Sequence, residues 1–415
     1  MVAFIVTDLG FGDAGKGTVV DWLAATRKVS LVVRHNGGAQ AGHNVVTEEG
    51  VHHTFSQWGA ATLRRVPTYL SDRFVLHPGA AQREAEVLRG KGVADPWKMV
   101  SVHREALVIT PYHQLINRLR EEVRGGAVHG TCGIGLGEAV RCALRGHAAV
   151  RASNAKSRPR LLQLLGSVRE WSRTEMESLT GSLEEVRAAA YLKEFEALTP
   201  DAVVAHWEEW ISRVEVVPRY PDPSHSSGDV VFEGAQGVLL DEWHGFHPHT
   251  TWSNTTDDWA RDILESSGHR PQVVRIGVTR TYTPRHGAGP LPTEPLGGFS
   301  HSTEPHNGSS GAQGRFRSGV WDAVLTRYAL GVTGGCDVLA VTHMDVATDP
   351  ELGSWGWCSR YQRPGDPHPV VSLPSAKRPV SRLDFQVGPT EFLRGCEAQS
   401  SFALPTERAL PPITA

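Results

Sequence analysis

The sequence predicts an α/β fold with a central, mainly parallel β-sheet flanked by helices, opening on a P-loop-like nucleotide-binding turn. Three observations carry that expectation. The short apolar run "VAFIV" leads through glycines into the helically spaced "KGTVVDWLAATRK", and a second apolar run, "SLVVRH", follows; this is the strand–loop–helix–strand opening of a parallel sheet. Later runs of strand length, "DVVFEG" near 229, "QVVRIGV" near 272 and "DVLAVTH" near 337, each end in a polar or glycine-rich loop, as strand ends do where they feed a binding crevice. Between them, residues 155–215 carry amphipathic helical spacing in "RLLQLLGSVREW", "SLEEVRAAAYLKEFEAL" and "DAVVAHWEEWISRV", expected to form a helical subdomain packed on the sheet.

Bulk properties bound the function. The chain has 415 residues, 40% hydrophobic and 21% charged, with a net charge of −3, an ordinary composition for a globular enzyme. There is no basic field to hold a nucleic acid. Five cysteines (Cys132, Cys142, Cys336, Cys358, Cys396) are scattered and never spaced C-x-x-C, which argues against a disulfide framework and for a reducing cytoplasm. No apolar run approaches the ~20 residues that span a bilayer, so no membrane association is expected. One domain over 1–415 is expected, with a loop-rich, proline-bearing part from 349 to 415.

The first element to justify is the loop itself. In "GFGDAGKGTVVDWL", Gly10, four residues, Gly15 and Lys16 fit G-x-x-x-x-G-K, with Gly17 where Ser or Thr is usual. Gly12, Gly15, Gly17 and Thr18 let backbone N–H groups and a helix N-terminus approach phosphates, and Lys16 adds a charge. Asp13 sits inside this cluster, where a carboxylate stays ionised and can hold Mg²⁺ or take a proton from a nucleophile that attacks a phosphate. A second loop, "NGGAQAGHN" (36–44), follows "SLVVRH". Its glycines open the backbone, and His43 at its end can donate to phosphate oxygens as charge builds.

Together, "GDAGKGTVVDWL" and "GGAQAGHN" resemble the two nucleotide loops of the adenylosuccinate synthetase family. "VVFEGAQGVLLD" (230–241), "HGFHPHTTWSNTT" (244–256), "TPRHGAGPLPTE" (283–294), "GRFRSG" (314–319) and "VTHMD" (341–345) are similar to further segments of that family, in family order. The resemblance implies a GTP-dependent ligase that joins L-aspartate to C6 of a 6-oxopurine nucleotide through a 6-phosphoryl intermediate, and a homodimer. It implies Asp13 as base and Mg²⁺ ligand, the Gly42 backbone as a second Mg²⁺ contact, and His43 as acid on the phosphoryl group. Lys16 is implied to hold phosphates, and Gln236, Thr251 and Thr131 to contact the acceptor nucleotide. Arg315 and Arg317 are implied to clamp the amino-acid carboxylates, for which planar two-donor forks are suited, and Asp345 to accept from guanine.

Several positions depart from the family pattern. Ala14 replaces a usual Glu and Gln40 an Asn that contacts the acceptor. Thr131-Cys132 stands for a threonine pair, and Leu144 with Arg145 beside it for an arginine that crosses between subunits. Ala312-Gln313 replaces a threonine pair in the amino-acid loop, and His343 replaces a lysine in the guanine segment. "QVGPTE" (386–391) is one candidate for the family's C-terminal nucleotide segment. IMP with GTP is the leading expectation. Alternatives are ATP as donor, GMP or dGMP as acceptor, another amino acid, or a regulator that binds nucleotides without turnover. Viral relatives that act on a guanine nucleotide usually lack the loop aspartate, so Asp13 counts against that acceptor, and Asp13, Lys16 and His43 together count against the regulator. The clustered His244, His247 and His249 do not share one face of an element and are not read as a metal site.

Overall fold

The N-terminal apolar run is strand β1 (Val2–Asp8), buried from its second residue onward, as a central strand covered on both faces must be. The computed structural model describes residues 1–127, 129–221, 228–268, 270–296, 314–348, 355–374 and 383–403. The next strands are β2 (Val29–Arg34), β3 (His43–Val46), β4 (His52–Phe55), β5 (Thr68–Leu70), β6 (Val75–Leu76), β7 (Val100–His103) and β8 (Leu107–Val108). There follow β9 (Glu215–Val217), β10 (Asp229–Glu233), β11 (Gln272–Arg280), β12 (Tyr282–His286), β13 (Phe316–Asp322), β14 (Val338–Thr342), β15 (Trp355–Gln362) and β16 (Glu397–Ala403). Eight of them form the main sheet, in the order β14-β11-β1-β10-β2-β5-β7-β9. Its pairs β10–β2, β2–β5, β5–β7, β7–β9 and β11–β14 are all parallel. A second sheet of four strands runs β12-β13-β15-β16.

The helices are α1 (Lys16–Thr26), α2 (Pro78–Gly90), α3 (Pro111–Arg124), α4 (Leu136–Leu144), α5 (Arg158–Thr180) and α6 (Glu185–Ala197). The rest are α7 (Pro200–His206), α8 (Glu208–Arg213), α9 (Asp258–Ser266), α10 (Ala323–Thr333), α11 (Met344–Thr348) and α12 (Leu383–Arg394). The chain divides into two compact units. One holds Met1–Ala3, Val20–Glu233 and Trp259–Gln272. Its helices α5–α8 occupy the stretch expected to be helical, and their Trp171, Trp207 and Trp210 are buried. Helix α3 starts sharply, because Pro111 takes the first position and the Thr110 hydroxyl accepts from the His113 N–H, satisfying a backbone donor that the first turn leaves open.

The other unit holds Phe4–Val19, Gly234–Asp258 and Val273–Ala415, with a core built from Leu9, Phe11, Val238, Leu239, Phe246 and Val324. The C-terminal stretch expected to be loop-rich contains β15 and β16, paired antiparallel, and α12. Its prolines, from Pro364 to Pro374, follow β15 rather than interrupt it, and a register shift between Cys358 and Arg360 breaks the period-2 pattern that marks a strand. In α12 an internal Pro389 breaks the usual helix pattern. Among the described residues, no helix is long and apolar enough to cross a membrane.

Candidate active site

The glycine loop is organised from beneath by Asp8, the last residue of β1. Its buried carboxylate accepts the Gly10 N–H at 2.8 Å, the Ala14 N–H at 2.9 Å and the Lys16 ammonium at 3.0 Å. Lys16 Nζ also donates to the Gln236 carbonyl at 2.5 Å. The lysine expected to reach phosphates therefore ties the loop to the "EGAQG" segment, and part of the loop's donor set is spent on Asp8. Gly17 is buried at the start of α1, whereas Thr18 is exposed.

The loop needs left-handed backbone at Gly12 (φ 91°) and Gly15 (φ 94°), and it imposes the same on Asp13 (φ 61°). Among the described residues, four non-glycine positions have positive φ: Asp13, Arg65, Gln236 and His343. Three of these are site residues expected from the sequence. Such conformations cost of order 1–3 kcal/mol each and persist where surrounding contacts over-determine them.

Asp13 is fixed by partners the sequence did not indicate. Its carbonyl accepts from Arg280 Nε, and its Oδ2 lies 3.3 Å from His286 Nε2. Burial pushes its carboxyl up, but the His286 hydrogen bond and the charges of Arg280, His286 and Lys16 outweigh burial and hold it below 3.8. Asp13 is thus an anion at neutral pH, half-buried, and able to accept a proton or to offer hard oxygen to a cation.

Gln236 approaches the loop closely. A Cβ on the next residue, Gly237, would lie 2.2 Å from the Gly10 carbonyl oxygen and 2.5 Å from the Gly12 nitrogen. Asp241 ties this segment to the next one by accepting from the N–H groups of Trp243 (2.8 Å), His244 (3.0 Å) and Thr255 (2.6 Å). Thr251 is held by its N–H on the Leu240 carbonyl at 2.8 Å. The Gln236 Oε1 is buried with no hydrogen-bond partner among the described residues.

His343 packs edge-on against Tyr282, and its Nδ1 lies 3.0 Å from the Thr342 hydroxyl. That hydroxyl donates to the Ala14 carbonyl at 2.7 Å, so the guanine-segment candidate joins the glycine loop. Burial, reinforced by Arg280, pushes the His343 imidazole down to about 4, leaving it neutral at pH 7. Asp345 is exposed at the start of α11. Arg315 and Arg317 both reach Glu294, at 3.2 and 2.7 Å. Gln313 lies outside the described residues. "QVGPTE" falls inside α12, where the Thr390 hydroxyl donates to the His247 carbonyl at 2.7 Å.

In the other unit, His43 opens β3 and its Nδ1 meets Glu233 Oε1 at the end of β10. Glu233 Oε2 accepts the Ala60 N–H at 2.9 Å. Burial raises the Glu233 carboxyl, but His43 and Arg34 outweigh it and keep it ionised. A carboxylate on Nδ1 fixes the ring's tautomer and orientation and leaves Nε2 as the working nitrogen. Gly42, just before it, is exposed. Gln40 carries Oε1 and Nε2 atoms that are both buried and without a hydrogen-bond partner among the described residues. The Thr131 hydroxyl accepts from Asn117 at 2.9 Å, while Glu121 collects the Gly130 and Thr131 N–H groups at 3.0 and 3.2 Å. Arg145 points to Glu175 at 3.1 Å.

Asp8, Glu233, Arg280, His286 and Glu294 are the residues that sequence reasoning missed. Asp8 and Glu233 had a signal, an acid at the very end of an apolar strand that feeds a glycine-bearing loop. Of the other three, His286 and Glu294 lie in "TPRHGAGPLPTE", marked only by its family likeness, and Arg280 is a long-range partner with no local mark.

A glycine-rich strand–helix loop with an ionised aspartate at a left-handed position, on a mainly parallel sheet, defines a nucleotide-binding enzyme of the P-loop-like α/β class. A family model described as adenylosuccinate synthetase matches residues 5–386. The adenylosuccinate synthetase of Desulfosudis oleivorans is 32% identical over 383 residues, 88% of this chain and 82% of that protein. A solved structure, the fully ligated adenylosuccinate synthetase from Plasmodium falciparum, is 19% identical and shares the fold at a TM-score of 0.74 over 97% of this chain and 88% of its own. A cyanophage succinoaminodeoxyadenylate synthetase bound to dGMP and dATP is 17% identical over 80% of this chain and 82% of its own, at a TM-score of 0.45, too low to bear on the fold. The chain belongs to the adenylosuccinate synthetase family. It is accordingly a ligase of purine biosynthesis that binds GTP and forms a carbon–nitrogen bond, in a family that is generally Mg²⁺-dependent.

Proposed function

We propose that the protein joins L-aspartate to C6 of IMP at the expense of GTP. Asp13 takes the N1 proton of the purine, and the freed O6 attacks the γ-phosphorus as GDP leaves. The amino group of aspartate then attacks C6 and inorganic phosphate departs. His43, oriented by Glu233, donates from Nε2 to the phosphoryl oxygens as charge builds. The observation that carries this reading is Asp13 itself, an ionised carboxylate forced into left-handed backbone at the centre of a phosphate-type loop, where anion binding alone gives no reason for an acid.

Buried amide atoms without partners at Gln40 and Gln236 support their assignment to the acceptor nucleotide, since buried polar groups are otherwise paired. Arg315 and Arg317 take the aspartate carboxylates, and Asp345 with the neutral His343 recognises guanine. Arg145 serves the acceptor phosphate across a homodimer, as the family resemblance implies. The Asp13 carboxylate suits Mg²⁺, which rests on one or two carboxylates plus substrate phosphates, and Gly42 offers a backbone carbonyl. When bound, the metal neutralises charge on the transferring phosphoryl group.

The test is a product mass spectrum from purified protein given GTP, Mg²⁺, aspartate and an equimolar mixture of IMP, GMP and dGMP. The aspartyl adduct of IMP is expected; an adduct of GMP or dGMP in its place overturns the acceptor assignment. Asp13→Asn is expected to lower kcat by at least about 10³-fold while nucleotide binding, followed by calorimetry, changes little. Normal turnover in that variant removes Asp13 as the base.

A further inference from the structure

Glu294 is bound in the way the fork's substrate would be. Its two carboxylate oxygens go to different guanidinium groups, Oε1 to Arg315 Nη2 at 3.2 Å and Oε2 to Arg317 Nη1 at 2.7 Å. Arg317 is rigid: its Nε donates to the Gly287 carbonyl at 2.9 Å and its Nη2 to the Gly289 carbonyl at 2.8 Å. Arg315 is the loose half, with 67% of its side chain exposed against 15% for Arg317.

A third cation stands alongside. Arg285 pairs in register with Arg317 across β12 and β13, is buried, and donates to the Ala288 and Pro290 carbonyls at 3.2 and 2.9 Å. Burial first, then Arg317 and Arg394, push its guanidinium down to about 9. Cations crowded with this little water are costly unless an anion lies on them. Glu294 is the anion that lies on Arg315 and Arg317.

We propose that Glu294 is a place-holding carboxylate: it occupies the Arg315–Arg317 fork until the carboxylate of the amino-acid substrate displaces it, and so sets that substrate's affinity. This rests on the reading above that the fork receives the amino acid. It makes Glu294 a specificity-determining residue with two opposed effects, supporting the empty protein and competing with the ligand.

Glu294→Gln keeps the shape and removes the charge. It should lower the melting temperature of the protein without added ligand, increase the stabilisation that added L-aspartate or the unreactive succinate produces, and lower the KM for aspartate roughly three- to tenfold, the scale of one ordinary net hydrogen bond. kcat should change little. Glu294→Asp, which keeps the charge but shortens the reach, should fall between the two and covers the case in which the glutamine variant folds poorly. A purely structural glutamate predicts lower stability with unchanged or weaker aspartate binding in both variants, and that result overturns the proposal. Arg317→Ala separates the two levels of inference. If it leaves aspartate binding intact, the fork does not hold the amino acid and the underlying reading fails. If it weakens binding while Glu294→Gln does not tighten it, the place-holder alone fails.

Discussion

Glu233→Gln probes the deepest electrostatic contact of the candidate site. Glu233 is fully buried, with one oxygen on His43 Nδ1 and the other on the Ala60 N–H at 2.9 Å. An amide has one acceptor and one donor end. If its oxygen faces His43, its NH₂ meets the Ala60 N–H; if it faces Ala60, its NH₂ meets the imidazole. In the first case the buried Ala60 N–H loses its acceptor, which costs about 1–3 kcal/mol; in the second the imidazole must give up its Nδ1 proton and take the other neutral tautomer; in both, buried Arg34 loses a neutralising anion, so ~2–4 kcal/mol of stability is expected to go. The chemical effect is larger than any effect on binding. Without the anion on Nδ1 the protonated ring is less favoured and its orientation is no longer set, and kcat is expected to fall about 10²–10³-fold with nucleotide KM within about threefold. The assay is steady-state product formation at saturating GTP, Mg²⁺, IMP and aspartate, with urea unfolding followed in parallel. His43→Ala should give a similar loss, and the double variant should be no worse than the poorer single, because the pair acts as one unit. A kcat within about threefold of the parent would falsify the orienting role of Glu233.

Two further perturbations test the loop's construction and its surroundings. Gly237→Ala places a methyl 2.2 Å from the Gly10 oxygen and 2.5 Å from the Gly12 nitrogen; the glycine loop must move, and affinity for a non-hydrolysable GTP analogue, read by calorimetry, should drop at least ~10-fold, the equivalent of about 1.4 kcal/mol. Unchanged affinity means that the close approach is not needed. Asp322 caps α10, accepts from the Tyr361 hydroxyl at 2.6 Å, and is pushed by burial from 3.8 up to about 6. A carboxyl raised on folding stabilises the protein in its protonated form, so its contribution is full below pH ~4 and gone above about 6, a swing of roughly 3 kcal/mol at most. Subtracting the unfolding free energy of Asp322→Asn from that of the parent at each pH isolates the group, and a difference flat from pH 4 to 7 refutes the assignment.

How much of this was legible depends on how far apart the interacting residues lie in the chain. Strands β1, β2, β10, β11 and β14 and helices α5–α8 were readable because each is a local pattern, an apolar run or an amphipathic period between turn residues. The glycine loop was readable for the same reason, since Gly12, Asp13, Gly15 and Lys16 are neighbours. β15, β16 and α12 were not, because a register shift and an internal proline disturb the local periods on which such reading depends.

The sequence by itself determined which groups could do chemistry: the acid in the loop, the histidine after the second glycine run, and the arginines at the head of β13. Only the tertiary structure decided their state. Asp13 is fixed by Arg280, 267 residues away, His43 by Glu233, 190 away, and Lys16 by the Gln236 carbonyl, 220 away. The charge of a carboxylate, the tautomer of an imidazole and the direction in which an ammonium points are set by whatever lies within a few ångströms. In a parallel sheet those neighbours arrive on strands far apart along the chain, so no local window of sequence contains them.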